Sequence, residues 1–240
     1  MPASRTLEFD HLGAHLVGDV VVPDGTGPFP VVLVMSNALG LSQQARASAR
    51  LLAEQGWLAV ATDMYGDAFE DQTGAQSGQF YAELMGDRPK LRARANAWRD
   101  AAAALPEADA ARAAAIGYCF GGACVLELAR SGADLRAVVS YHGILETPLP
   151  AAKGAIRGEV AVYAGALDPF APPAQTEAFV AEMQAAEARH TVIVFGSAAH
   201  SFTDPSHTLH AAPMPGIEYN ELAHKVSWAG TLALLELVFA

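Results

Sequence analysis

One cysteine in this sequence stands in a setting that favours nucleophilic chemistry. Residues 117 to 122 read Gly-Tyr-Cys-Phe-Gly-Gly, directly after an apolar run and directly before a segment of helical composition. The pattern Gly-x-nucleophile-x-Gly is typical of a sharp strand-to-helix turn, which lifts the central side chain clear of the sheet. At the start of that helix, Cys119 would meet unpaired backbone donors and the positive end of the helix dipole, and both favour a thiolate. The N–H of Phe120 would point at a developing oxyanion.

A thiolate that attacks a carbonyl also needs a base within reach and a group that orients the base. Asp168 follows the predicted strand Val160 to Ala164, and His200 follows the predicted strand Thr191 to Phe195. Because the carboxyl ends of parallel strands meet at one edge of an α/β sheet, both loops should reach the same crevice as Cys119. Taken singly, each of the three residues has a plainer explanation. Cys119 could be a small buried hydrophobe, Asp168 a turn former before proline, and His200 a loop cap. Together, in the order nucleophile, acid, histidine, they predict a Cys–His–Asp triad.

Short β-branched runs alternate along the chain with longer segments rich in alanine and leucine. This alternation predicts the α/β class, with a mostly parallel central sheet flanked by helices and with right-handed crossovers. Most predicted strands are continuous apolar runs, which suits strands covered on both faces. The predicted strands are Ala14 to Val22, Val31 to Ser36, Trp57 to Thr62, Ala113 to Tyr118, Ala137 to Tyr141, Val160 to Ala164 and Thr191 to Phe195. The predicted helices are Gln43 to Gln55, Arg88 to Leu105, Cys119 to Arg130, Pro173 to Ala188 and Glu218 to Leu237.

Length and composition favour one domain. The 240 residues, 52% of them hydrophobic, can bury one sizeable core but are short for two full-sized domains, so we expect a single domain over residues 1–240. The segment from Met64 to Asp87 differs from the rest, because it carries four glycines among acidic and aromatic residues without a clear period. It is either a flap over a cleft or an ordinary surface connection.

The charge balance excludes some partners. Fifteen basic and twenty-six acidic side chains give a formal charge of -11, which would repel a nucleic-acid backbone. The apolar runs are short, and we expect none to approach the roughly 20 apolar residues of a membrane-spanning helix. The amino terminus lacks the basic start and apolar core of a secretory signal, so we expect a cytoplasmic protein without nucleic-acid or membrane partners.

The sequence contains no convincing disulfide or metal site. Cys119 and Cys124 lie five positions apart in a predicted helix, where their side chains diverge too far to close a disulfide, and two thiols alone make no tetrahedral site. We expect Cys124 to be structural. His207 and His210 could share one helical face, but prolines break their segment. The chemistry of the predicted triad needs no metal and no cofactor.

Around these predicted site residues, the sequence resembles the dienelactone hydrolase family, the cysteine branch of the α/β-hydrolase fold. The resemblance runs through nearly the whole chain. It is carried by the turn around Cys119, by Gly165 to Phe170, by His200-Ser201-Phe202-Thr203-Asp204-Pro205, and by a tail with Tyr219-Asn220, Ala223 and Ser227-Trp228. The resemblance implies an α/β-hydrolase fold without a separate cap domain. It also implies Cys119 as nucleophile, His200 as general base, Asp168 as its orienter, and the backbone N–H of Ala38 as second oxyanion donor.

Two positions depart from the family pattern. Where members commonly carry a glutamate that accepts a hydrogen bond from the resting thiol, this sequence has Asn37, and an amide cannot take up a proton. Activation of Cys119 would then rest on His200 and the helix terminus, and the thiol should titrate as a simple Cys/His pair. Members that act on the anionic dienelactone hold its carboxylate with arginines, one of them four residues after the histidine, and here that residue is Asp204. With the charge of -11, this favours a neutral substrate.

Several other side chains each have two candidate roles. Three arginines of the helix predicted from Arg88 could reach the cleft, but on a charge-rich helix we expect them to be solvated; they are Arg88, Arg92 and Arg94. His142, directly after a predicted strand, either edges the pocket or serves in packing. Five apolar residues either line an acyl or aryl pocket or only anchor their loops; they are Phe80, Tyr81, Met85, Met214 and Ile217.

These observations predict a hydrolase of neutral activated esters or lactones that works through a Cys–His–Asp triad and a covalent cysteine intermediate. Three alternatives remain open. The same thiolate could cleave neutral aryl phosphotriesters, and acyl-cysteine chemistry also suits a thioesterase, although the sequence shows no basic patch for a coenzyme A phosphate. The chain could instead be a catalytically silent binding protein that has kept the fold. The expected partner is a small neutral ester, lactone or phosphotriester, bound by a monomer or homodimer.

Overall fold

The sheet carries the candidate site at one edge, and its strands come from the whole length of the chain. The computed structural model describes residues 2–70, 76–206 and 215–240. The strands are β1 (Ala3–His11), β2 (Ala14–Val22), β3 (Phe29–Met35), β4 (Leu58–Thr62), β5 (Ala108–Tyr118), β6 (Ala137–Tyr141), β7 (Glu159–Gly165) and β8 (His190–Phe195). The helices are α1 (Gln43–Glu54), α2 (Ser77–Gly86), α3 (Arg88–Ala103), α4 (Phe120–Arg130), α5 (Pro173–Ala185) and α6 (Glu221–Phe239).

The described strands form one mixed sheet in the order β1-β2-β4-β3-β5-β6-β7-β8. Strands β3 to β8 run parallel, and β1 and β2 add an antiparallel hairpin at one edge. Every residue of β4 and β6 is buried, as expected for central strands with helices on both faces. The prediction of an α/β-hydrolase fold with a mostly parallel sheet flanked by helices is confirmed.

Helices cover the two faces of the sheet in separate layers. Apolar residues of α1 and α6 pack on one face, together with side chains from β3, β5 and β6. Residues of α2, α3, α4 and α5 pack on the other face, where α4 is buried along its whole length. This arrangement places the start of α4, and hence Cys119, in the middle of the sheet edge.

The last helix satisfies a simple length and hydropathy criterion for a membrane span. Over Glu221–Phe239 the mean hydropathy of its most apolar window is 1.2, so the expectation that no segment reaches such a composition is wrong for α6. In the fold, one stripe of this helix lies on the sheet with Ala223, Ser227, Thr231 and Leu235 buried at four-residue spacing. The Thr231 hydroxyl also bonds to the Tyr141 hydroxyl of β6. The i, i+4 pattern is that of a helix packed on a core.

Two elements lie where no strand or helix was predicted. The first is β1, in which the half-buried Leu7 and Phe9 alternate with exposed charged residues. The polar residues of its exposed face make this strand difficult to recognise from the sequence. The second is α2, inside the glycine-containing segment from Met64 to Asp87. Gly78 and Gly86 lower its helical propensity, and packing of Leu84 compensates. Residues 71–75 of that segment lie outside the described part of the chain.

Candidate active site

Cys119 is the single residue between the end of β5 and the start of α4. Its backbone has φ 54° and ψ -112°, a region that residues with a side chain rarely adopt. The turn is held by hydrogen bonds from Cys119 N to Tyr141 O at 3.0 Å and from Ala123 N to Cys119 O at 3.2 Å. A Cβ on Gly121 would lie 2.1 Å from Met35 O, so only glycine lets α4 start this close to β3. The local strain and close packing present the thiol at the sheet edge.

Three neighbouring groups act on the thiol of Cys119. The imidazole of His200 and the backbone N–H groups of Phe120 and Ala38 each lower its pKa. Burial alone would raise the pKa of the thiol, but the charge of His200, its hydrogen bond and the two N–H groups outweigh burial and lower the pKa. Burial would lower the pKa of His200, but the Cys119 charge and the bond to Asp168 raise it to about 10. Both shifts favour the charged forms, a thiolate beside an imidazolium.

Asp168 and His200 lie in the loops after β7 and β8 and are each only 3% exposed. The Nδ1 atom of His200 lies 2.7 Å from Asp168 Oδ2. The other oxygen, Oδ1, accepts hydrogen bonds from the N–H groups of Phe170 at 2.8 Å and Ala171 at 3.1 Å. One carboxylate oxygen thus fixes the loop and the second orients the imidazole, so the structure brings the three predicted triad residues together.

The second N–H donor comes from a tight turn after β3. The side-chain oxygen of Asn37 accepts a hydrogen bond from Leu39 N at 3.0 Å, and Gly40 N bonds to Asn37 O at 3.3 Å. This turn directs the N–H of Ala38 toward Cys119. Asn37 therefore stabilises the backbone of the turn where the family pattern has a glutamate.

The profile of the dienelactone hydrolase family matches residues 16–239. The chain belongs to this family.

Solved and curated relatives agree with the assignment. The chain is 36% identical to a structure described as the dienelactone hydrolase-like promiscuous phosphotriesterase P91 from metagenomic libraries. The two structures superpose with a TM-score of 0.92, and the match covers 100% of this chain and 99% of that one. A structure named m3DLH is 38% identical with the same TM-score of 0.92 and the same coverage of 100% and 99%. A protein of Escherichia coli O157:H7 named "Putative carboxymethylenebutenolidase" is 27% identical over 197 residues, 78% of this chain and 72% of its own. The chain is thus similar throughout its length to hydrolases of this family.

A second histidine packs against the candidate base of this family member. His142 is 2% exposed, has φ 40°, and its ring centre lies 5.1 Å from that of His200. Its Nε2 lies 2.8 Å from Thr203 Oγ1, which accepts a hydrogen bond from Gln44 Nε2 at 2.9 Å. Of the two roles considered for His142, packing is the one observed, and what it packs on is the imidazole of His200.

Aromatic side chains of α2 and nearby loops flank the thiol. The rings of Tyr81 and Phe120 meet edge to face at 5.6 Å, and burial followed by the negative charge of Cys119 raises the pKa of Tyr81. Phe80 is 37% exposed and lies farther out, against Tyr65.

Other predicted pocket residues have different positions. Ile217 pairs through its backbone with His200. Met85 lines a cavity of about 530 Å³ between the α2–α3 junction, the loop after β6 and α5, and no triad residue lines it. Met214 lies outside the described residues.

Three residues around the site were not among the predicted site residues. Phe170 lies 4.9 Å from His200 between ring centres, and its position two residues after Asp168 is a signal that could have identified it. Tyr65 contacts both N–H donor residues, and Asp63 organises the loop that carries Tyr65. No local pattern indicated a role for Tyr65, because Ala38 and Phe120 lie far from it in the sequence. Asp63 acts on this site only through the loop two to five residues after it, which carries Tyr65.

The expectation of three solvated arginines is wrong. Arg88 and Arg94 are 5% and 4% exposed, because their guanidinium groups find backbone acceptors at Glu146 O and Met64 O. Arg92 bonds to the buried Glu127 carboxylate at 2.7 Å. Arg88 is close enough to the site for its charge to oppose the rise in the pKa of Tyr81.

The described residues contain no group of three His, Cys, Asp or Glu side chains that could hold a metal ion. His207 and His210 lie outside the described part of the chain. Both thiols, Cys119 and Cys124, are free, and burial raises the pKa of Cys124. Asp204 uses its Oδ1 to accept hydrogen bonds from the N–H and hydroxyl of Ser206 at 2.9 and 2.7 Å.

Proposed function

We propose that this member of the dienelactone hydrolase family cleaves neutral activated esters or lactones through a Cys119–His200–Asp168 triad. The observation that carries the proposal is the strained turn that presents Cys119 at the start of α4, together with the buried His200–Asp168 pair. His200 and the N–H groups of Phe120 and Ala38 each lower the pKa of this thiol. A thiolate nucleophile, an acid for the leaving group and two donors for an oxyanion are the parts that acyl transfer requires.

The first half of the reaction forms an acyl-enzyme. The Cys119 thiolate attacks the carbonyl carbon, and the carbonyl oxygen takes the electron pair and the hydrogen bonds of the Phe120 and Ala38 N–H groups. As the C–O bond breaks, the His200 imidazolium gives its proton to the leaving alkoxide. Asp168 holds the imidazole orientation through the 2.7 Å bond at Nδ1.

The second half releases the acid. Neutral His200 takes a proton from water, and the resulting hydroxide attacks the thioester carbon. The tetrahedral intermediate again places its oxyanion at the Phe120 and Ala38 N–H groups, and the C–S bond breaks to return the thiolate. The imidazolium remains beside it, so the starting ion pair is restored.

The charge of the site supports a neutral substrate. The chain carries a formal charge of -11, and Asp204 stands four residues after His200 with its carboxylate near that loop. Arg88, Arg92 and Arg94 direct donors to protein acceptors. Among the described residues, a substrate carboxylate would therefore meet an acidic field in which these cations are already engaged.

Substitution of the nucleophile tests the proposal, with the buried second cysteine as matched control. Cys119→Ala should abolish turnover of p-nitrophenyl acetate, whereas Cys124→Ala should keep it within about threefold, because small core changes away from the site act on stability. Rapid mixing followed by mass analysis should find one acetyl group on the peptide that contains Cys119. Turnover that survives in Cys119→Ala would overturn the assignment.

A second candidate substrate class is the neutral aryl phosphotriester, favoured by the similarity to a structure described as a promiscuous phosphotriesterase. The same thiolate would attack phosphorus, the aryloxide would leave, and the developing charge on the phosphoryl oxygen would be held by the same N–H groups. Paraoxon hydrolysis that depends on Cys119 should be measurable but slower than ester hydrolysis. No detectable paraoxon hydrolysis would remove this candidate and leave the ester proposal intact.

A further inference from the structure

We propose that Tyr65 is a positioning residue that holds both oxyanion donors in place. The inference rests on the proposed function, because it assigns Tyr65 a role in the same acyl-transfer site. Tyr65 follows β4 and belongs to neither the triad nor the two N–H donors. It is 6% exposed and packs beneath the site.

Tyr65 contacts the two residues whose N–H groups reach the sulfur. Its hydroxyl donates a hydrogen bond to the carbonyl oxygen of Ala38 at 3.1 Å. Its ring stacks on that of Phe120 with 5.6 Å between centres and 24° between planes. These donors come from different parts of the chain, after β3 and after β5, so Tyr65 sets their separation.

The bond to Ala38 acts on the direction of its N–H through the peptide geometry of the turn. The peptide between Ala38 and Leu39 is held at both ends, because Tyr65 binds its oxygen and Asn37 Oδ1 binds its N–H. Gly40 N binds the oxygen of the preceding peptide. Since peptide units are planar, the free N–H of Ala38 then has one direction left, toward Cys119.

Tyr65 is itself held by a buried carboxylate. Asp63 is fully buried, and its oxygens accept hydrogen bonds from the N–H groups of Tyr65 at 2.8 Å, Gly66 at 2.9 Å and Ala68 at 3.0 Å. The Trp98 indole donates to the Asp63 backbone oxygen at 2.6 Å. Burial raises the pKa of Tyr65, so its hydroxyl stays protonated and able to donate. The loop therefore presents a rigid donor to the oxyanion turn.

Tyr65→Phe removes the hydroxyl and keeps the stacked ring. A matched control is Tyr163→Phe, which removes the hydroxyl of another buried tyrosine, on β7, that lies against Gly230 of α6 and not against the turn. For p-nitrophenyl acetate, Tyr65→Phe should lower kcat about tenfold with little change in KM, less than the loss of a whole oxyanion donor. Tyr163→Phe should leave both constants within about twofold, since that hydroxyl contacts neither donor residue.

Two further measurements separate positioning from general destabilisation. The carbonyl stretch of the acetyl-Cys119 intermediate should move to higher wavenumber in Tyr65→Phe, because weaker hydrogen bonds polarise the carbonyl less. The pH midpoint of Cys119 alkylation should also rise in this variant, because the same N–H groups stabilise the thiolate. Neither quantity should change in Tyr163→Phe, and both report on folded protein.

An unchanged kcat, carbonyl stretch and alkylation midpoint in Tyr65→Phe would overturn the inference, and so would equal changes in Tyr163→Phe. Failure of the proposed function has a different signature, because turnover would then survive in Cys119→Ala. The alkylation midpoint does not require turnover, so it tests Tyr65 in either case.

Discussion

The imidazole Nδ1 of His200 lies 2.7 Å from Asp168 Oδ2, and both side chains are almost completely buried. Because Asp168 accepts at Nδ1, the proton at that nitrogen is fixed and Nε2 is left to face Cys119. The buried carboxylate thus supports the positive charge that the thiolate induces on the ring. This relationship decides how the proposed reaction depends on Asp168.

Asp168→Asn should lower kcat for p-nitrophenyl acetate about a thousandfold while the fold is retained. The amide can present its NH2 group to the imidazole, which favours the wrong tautomer and withdraws support from the imidazolium. Asp109→Asn is the matched control, because Asp109 pairs with Arg112 at a part-exposed site far from the triad. A loss of less than about tenfold in Asp168→Asn would contradict the triad.

The pH profile of Cys119 alkylation by iodoacetamide should show one ionisation below the usual thiol value. The pKa of Cys119 is lowered, and Asn37 supplies no carboxylate to add a second step. Cys124 should stay unlabelled at neutral pH, since burial raises its pKa. Turnover should rise with pH as the ionised fraction of Cys119 increases. It should fall again as the pH passes about 10, where His200 loses the proton that the leaving alkoxide needs.

Two results of that experiment would contradict the proposal. An additional carboxylate-like ionisation would mean that another acidic group controls the thiol. Equal labelling of Cys119 and Cys124 would favour the alternative of a catalytically silent binding protein, because such a protein need not keep an activated thiol.

Neutral esters should be better substrates than matched anionic ones. We expect kcat/KM for phenyl acetate to exceed that for 4-acetoxybenzoate by about tenfold or more at low salt, because the acidic field of the protein repels the carboxylate. Added salt should narrow the gap by screening. Equal values for the two esters would contradict the preference. Arg88, a buried cation whose charge acts on Tyr81, would then be the side chain to replace.

Gly121→Ala should destabilise the turn that carries the nucleophile. The added Cβ would lie 2.1 Å from Met35 O, and separating α4 from β3 should lower the free energy of unfolding by about 2 kcal/mol or more. Gly78→Ala provides a control, because a Cβ at that helical position meets open space and should raise stability by up to about 1 kcal/mol. Thermal unfolding of both variants gives the comparison, and wild-type stability in Gly121→Ala would contradict the close packing.

The sequence by itself determined the fold class and the members of the candidate triad. Hydrophobic runs report on burial within a few residues, and Gly117 with Gly121 marks a turn through local spacing. Asp168 and His200 could be placed beside Cys119 before any coordinates, because parallel strands end at one edge whatever their order in the sheet. Asn37 and Asp204 could be recognised as departures from the family pattern, since the residue type alone shows a change of functional group.

Tertiary structure decided what depends on contacts between distant segments. Local composition predicted solvated arginines, but the acceptors that bury Arg88 and Arg94 lie 58 and 30 residues away. For the same reason Tyr65 could not be identified from the sequence, because its partner Ala38 is 27 residues away. Its proposed role depends on contacts with both Ala38 and Phe120, which only the fold brings together. Periodicity describes which face of an element is apolar, whereas only the packed chain defines which groups meet across it.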